Sequence, residues 1–221
     1  RRSLVETMTR LERPEWPARV RYWGLRAYAY ADLFEGRVAK VGPYLERSLE
    51  LARACRSPSM IDRSLSNLAD HALATGDLAR AIQSGRELLR NMSGKYNTLV
   101  AQGNLANALL QVGEVAEARG LIARFHGQAR AMQWDTFATF APVFALLAAR
   151  KGRVRSAARL IGYARMHDRA MGGDAEPNER RAQELAMERI AAALAATEVD
   201  GLMAEGERLS EDEVCALTLE A

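Results

Sequence analysis

The sequence predicts an all-α protein made of stacked helical hairpins, and three observations carry that prediction. Four glycines, Gly36, Gly76, Gly113 and Gly152, recur at separations of 40, 37 and 39 residues, a period proper to helical repeats. Each stands in one register. Eight residues before it comes a large side chain (Tyr28, Leu68, Leu105, Phe144) and seven before it an alanine (Ala29, Ala69, Ala106, Ala145). Two residues after it comes an aliphatic residue (Val38, Leu78, Val115, Val154), and five after it Val41, Ala81, Ala118 or Ala157. The third observation is composition: 48% hydrophobic and only 6% aromatic residues, with no β-branched runs and no strict apolar–polar alternation, leaves almost no strand.

The physical reading is direct. Glycine accepts the left-handed conformation that ends a helix, alanines let two helix axes approach, and the large neighbour fills the groove between them. One hairpin cannot bury its apolar face, but stacked neighbours can. About four hairpins over residues 1–171 are therefore expected, closed by capping helices over residues 172–221.

Taken in order, Leu4, Val5, Met8 and Leu11 fall at helical spacing in residues 3–12. They are expected to form the second helix of a hairpin begun upstream, in a chain drawn from inside a longer protein. Pro14 and Pro17 interrupt that segment, and Pro17 suits the first turn of a helix running to about residue 34 with Tyr22, Trp23, Tyr28, Tyr30 and Phe34. The return helix covers about 38–56 and ends at Ser57-Pro58-Ser59. The next pair covers 59–75 and 78–91, and Asn91-Met92-Ser93-Gly94 makes a turn. A third pair covers 96–112 and 115–132. A fourth covers 135–150 and 154–171, with Pro142 expected to bend its first helix because proline lacks the backbone donor and clashes one turn back. Residues 172–177 read as a linker. Asn178 is expected to cap a helix to about residue 197 striped by Leu185, Ile190 and Leu194, and a short helix follows near 200–205. Ser210 and Glu213 form a capping box opening a last helix with Val214, Leu217 and Leu219.

This hairpin pattern resembles the tetratricopeptide repeat, in which a large aliphatic residue and a Gly or Ala precede the turn by seven or eight positions and an Ala follows it. Leu68, Ala69, Gly76 and Ala81 match, as do Leu105, Ala106, Gly113 and Ala118. Val41 and Pro142 depart from the pattern, and the period exceeds the usual 34. The resemblance implies a right-handed superhelix whose first helices line a concave groove. Six residues before the glycines stand Tyr30, Asp70, Asn107 and Leu146, and nine before stand Ala27, Asn67, Asn104 and Val143. With Trp23, Arg26, Arg63, Ser66 and Gln111 at neighbouring inward positions, the first three repeats present polar and aromatic side chains. They read either as a groove for an inducer, peptide or protein partner or as a solvated helix face. The groove reading expects Tyr30→Ala and Asn107→Ala to abolish signalling with helicity and melting unchanged.

Catalytic signals are absent from the sequence, so no enzyme activity is expected. Asn91-Met92-Ser93-Gly94-Lys95-Tyr96 lacks the first glycine of a phosphate loop, which would fall at Leu89, and the hydroxyl after the lysine that binds magnesium. His71, His126 and His167 lack zinc spacing. Cys55 and Cys215 read as reduced thiols of a cytoplasmic protein. No stretch has the apolar length to span a bilayer.

Charge is segregated. Residues 150–169 carry seven basic side chains against Asp168, whereas from Glu198 onward eight acids face Arg208 alone. The basic run lacks the interleaved aromatics of a single-strand platform. It is expected to be a solvated face partly neutralised by the acidic tail folding back, or to dock on a neighbouring domain, rather than to bind nucleic acid.

The stretch from Ala158 onward adds a second resemblance. Its segments Ala158-Arg159-Leu160-Ile161-Gly162, Glu176-Pro177 and Glu205 to Glu213 resemble the C-terminal end of bacterial STAND-type ATPases, notably transcriptional regulators that join a winged helix, an ATPase and helical repeats. Val214 stands where that family often has Ala. The resemblance implies a sensor or interaction arm. ATP or ADP, with Mg, would bind an upstream ATPase domain and the operator an upstream winged helix, with no cofactor in this segment. The alternative is a free-standing tetratricopeptide adaptor that binds a peptide.

Overall fold

The computed structural model describes residues 13–91, 96–132, 137–173 and 177–220. Among them every regular element is helical: α1 (Ala18–Phe34), α2 (Val41–Ala54), α3 (Pro58–Thr75), α4 (Leu78–Asn91), α5 (Tyr96–Val112), α6 (Val115–Met132), α7 (Ala141–Arg150), α8 (Val154–Met171), α9 (Pro177–Ala193), α10 (Ala196–Gly206) and α11 (Glu211–Leu219). Short 3-10 turns at Val38–Lys40 and Phe137–Phe140 precede α2 and α7. The helix expected over residues 3–12, the turn at 92–94 and the middle of the linker lie outside the described residues.

All four register glycines sit between successive helices with φ of 72, 81, 93 and 77°, the left-handed region that costs a residue with a Cβ. At three of them the residue beyond donates back across the helix end: Arg37 N to Asp32 O (2.7 Å), Glu114 N to Leu109 O (2.9 Å) and Arg153 N to Ala148 O (2.9 Å). These six-to-one bonds satisfy carbonyls that a helix end leaves orphaned. The same closure is made without glycine at the end of α2, where Arg56 takes φ 49° and Ser57 N reaches Ala52 O. Most of the remaining register is buried, but the aliphatic residue two after each glycine is not: Val38 is exposed, and Leu78, Val115 and Val154 are half-buried. Tyr28, Leu68, Leu105 and Phe144, their following alanines, and Val41, Ala81, Ala118 and Ala157 are all buried.

Pro142 departs from expectation. It lies in the first turn of α7 rather than in mid-helix, following the 3-10 turn, where its missing donor costs nothing. The helix starts at Ala141, with the proline in its first turn. Asn178 likewise does not cap, because α9 already begins at Pro177.

The chain divides into two compact units, residues 1–94 and 95–221. In the first, α1, α2, α3 and α4 pack each on the next, and Tyr22, Leu25, Tyr28, Leu51, Ala52 and Met60 form a core among α1, α2 and α3. In the second, α5 pairs with α6 and α7 with α8, and α9, α10 and α11 close around α7 and α8. Residues Ala141 to Ala149 of α7 are at most 2% exposed wherever hydrophobic. A helix apolar on every side is a buried helix.

Candidate recognition face

The ten side chains expected to line a groove fall in both units, and the structure treats them differently. In the first unit, α1 carries Trp23 and Tyr30 at 47% and 48% exposure. α3 carries exposed Arg63 and Asp70 and half-buried Ser66 and Asn67. Arg26 lies among the α1 aromatics, its guanidinium carbon 5.8 Å from the Tyr22 ring centroid and 5.5 Å from those of Trp23 and Tyr30. Its Nη2 donates to Tyr30 Oη at 3.2 Å, while its Nη1 is buried with no hydrogen-bond partner. The spacing of 22, 23, 26 and 30 on one helix is what gathers them, since residues three and four apart are surface neighbours. Tyr22 packs edge-on against Trp23 at 5.2 Å and donates to Met60 O at 3.4 Å, which fixes one wall.

In the second unit the corresponding side chains are engaged internally. Asn107 is fully buried and its Nδ2 donates to Asn178 O at 2.9 Å. Gln111 Nε2 donates to Asn107 Oδ1 at 3.0 Å, and Arg150 Nη2 donates to Gln111 O at 3.1 Å. This chain of amides ties α5 to the end of α7 and the start of α9. Asn107 thus serves packing, and the expectation that Asn107→Ala leaves melting unchanged is corrected: truncation strands a buried carbonyl. Asn104 is half-buried. The register partners in α7, Val143 and Leu146, are fully buried where α9 packs on α7. Arg150 and Asn178 were not predicted as part of this network. Only their positions in three dimensions, 39 and 71 residues from their partners, bring them in.

The basic run of α8 meets the acidic tail. Arg159 Nε donates to Glu205 at 2.7 Å, and Arg155 and Arg169 pair with Glu198 and Glu207. Arg153 donates to the carbonyls of Leu217 (2.5 Å) and Thr218 (2.9 Å), satisfying the open end of α11. Between these contacts two glycines interlock. A Cβ on Gly162 would collide with Met203 O and lie 2.7 Å from its carbonyl carbon, and one on Gly206 would collide with Arg159 O and lie 2.7 Å from its carbonyl carbon. The α8 and α10 backbones therefore touch through two positions that only glycine can fill.

The histidines show no catalytic arrangement among the described residues. His71 faces Gly42 of α2, and burial holds its imidazole below the usual range against the opposing pull of Asp70. His126 is buried edge-on to Phe144, ring centroids 4.6 Å apart. Neither cysteine is in a disulfide. No three His, Cys, Asp or Glu side chains among the described residues stand close enough to hold a metal ion, and no described helix is long and apolar enough to cross a membrane. No family model, curated protein or solved structure matches the chain.

Proposed function

We propose that this chain is a recognition module rather than a catalyst: a tetratricopeptide-like, right-handed helical-repeat arm that senses an effector or holds a protein partner in a bacterial STAND-type ATPase regulator. The observation that carries the proposal is a contrast within one repeat register. The position six before the glycine is a fully buried leucine, Leu146, in α7, whereas in α1 it is Tyr30, about half exposed beside Arg26 and the equally exposed Trp23. Exposed aromatic side chains beside a buried cation are a feature of binding faces rather than of solvated helices.

The C-terminal motif gains a physical basis that favours the family reading. Gly162 of the Ala-Arg-Leu-Ile-Gly segment and Gly206 of the Glu-Gly segment are the two halves of one backbone contact, so the two segments have reason to occur together. In this reading the arm is cytoplasmic. ATP, Mg and operator DNA belong to domains upstream, and the arm binds no nucleic acid itself because the α8 arginines are spent on the acidic tail. An effector acts by binding the states of the whole regulator with different affinity.

The test is a Trp23→Ala, Tyr30→Ala double variant in the intact regulator. Loss of the effector response with unchanged helicity and melting is expected. A normal response removes α1 from the recognition face. The reading of the encoded protein is checked by sequencing upstream of Arg1, where a nucleotide-binding segment with a complete phosphate loop is expected.

A further inference from the structure

We propose that the Trp23, Arg26 and Tyr30 cluster on α1 is a receptor for a carboxylate joined to a flat apolar group. The proposal rests on the assignment of α1 as the recognition face and names the chemistry that face takes.

The reason is an unbalanced charge. Arg26 is 7% exposed and its guanidinium is a donor-only cation. Four other arginines of the same unit pair with carboxylates: Arg37 with Asp32, Arg47 with Glu50, Arg53 with Glu87 and Arg80 with Glu46. Their side chains are 29%, 49%, 50% and 27% exposed. Arg26, the most deeply buried of the five, has no carboxylate partner among the described residues, and its one side-chain hydrogen bond there goes to a neutral phenol. Removing such a charge from water is strongly unfavourable when it is uncompensated. Cation–π contact with the surrounding rings offsets only part of that cost, which leaves a deficit that an arriving anion removes.

The geometry narrows the anion. One guanidinium offers a planar fork that matches one carboxylate bidentately, and a single cation balances a single negative charge. Trp23 and Tyr30 stand seven residues apart on α1, about 10 Å along the axis, with Arg26 between them. Their exposed ring faces suit a planar apolar group seated beside the fork. A free organic acid and the C-terminal carboxylate of a peptide share this chemistry.

Both sources are compared by titrating the whole chain with phenylacetate and with N-acetylglycyl-phenylalanine, each beside its neutral amide, while following the Trp23 indole N–H by NMR. Both acids are expected to shift that resonance saturably and the amides to bind at least about tenfold more weakly; the tighter acid identifies the source. Arg26→Gln is expected to erase the preference for acids, and Arg26→Lys to retain it at lower affinity, with helical melting recorded for each. The proposal is overturned if acids and amides titrate alike, if neither acid perturbs the indole, or if a folded Arg26→Gln variant still discriminates. Should Arg26→Gln fail to fold, the acid and amide titrations of the unaltered chain decide. Loss of signalling in the Trp23, Tyr30 variant together with indifferent titrations would keep the recognition face and remove its carboxylate chemistry.

Discussion

At the scale of single residues, glycine does opposite jobs at different places, and the distinction predicts the sign of each replacement. Gly206 and Gly162 meet a neighbouring backbone that cannot yield, so Gly206→Ala forces α10 away from α8. A cost of about 1–3 kcal/mol is expected, the range for overpacked cores, read as a lower urea midpoint. Gly127 is mid-helix in α6, with nothing within 4 Å of where its Cβ would lie. Gly127→Ala is expected to raise stability by about 0.5–1 kcal/mol, because alanine loses less backbone entropy on entering a helix. A measured destabilisation at Gly127 would contradict this account of the helix. Asn107→Ala is expected to lose about 1–3 kcal/mol, the penalty for leaving a buried polar group unsatisfied. The hinge glycines were legible from spacing alone, since a turn is a local demand. Gly162 and Gly206 were legible only as letters of a resemblance, because what each one touches lies more than forty residues away.

At the scale of elements, the closure of α8 by α10 and α11 combines ion pairs with packing, and magnitudes rank them. The pairs of Arg155, Arg159 and Arg169 are largely exposed, and such pairs contribute about 0–1 kcal/mol each. Buried Leu160, Ile161, Ala164, Leu202 and Val214 each contribute more, about 1.5–3 kcal/mol for the larger aliphatic side chains. Raising salt to about 0.5 M, where screening reaches within a few ångströms, is therefore expected to shift the urea midpoint less than Gly206→Ala does. A larger salt effect would make charge the main fastener of the tail. The same closure has a pH signature. Tyr163, 6% exposed on α8, has its phenol pushed up from 10.0 to about 12, first by burial and then by Glu211 and Cys215. A folded-state pKa above the unfolded one gives stability that is complete below pH 10 and is lost as pH rises towards 12. Alkaline unfolding is expected to begin in that window and to be reduced in Tyr163→Phe. At the other end of the scale, the capping box of α11 is present as read from sequence, and its bonds from Ser210 hold the Glu213 carboxyl below its usual range. That contribution is present above the ordinary carboxylate pKa and fades as pH falls through the lowered one.

At the scale of the whole molecule, the chain forms two compact units rather than one undivided set of contacts, and the second contains its own buried centre in α7. Residues 95–221 expressed alone are expected to unfold cooperatively, with coincident circular dichroism and fluorescence transitions; a non-cooperative melt would show that α7 depends on the first unit. Helix class, most helix boundaries, the hinge positions and the neutralised basic run were all determined by sequence, because each follows from local backbone demand, a repeated register or charge segregation. Tertiary structure decided which inward side chains remain open. Asn107 and Gln111 are polar as Asn67 and Asp70 are, yet Asn107 donates to Asn178 O of α9 and Gln111 donates to Asn107, so both are taken up within their own unit. Arg26 could be read as one more inward polar residue, and only the surrounding rings and the lack of a carboxylate partner among the described residues reveal a buried, unbalanced charge. Local propensity is written in neighbouring letters, whereas burial and charge balance depend on residues that meet only after the chain has folded.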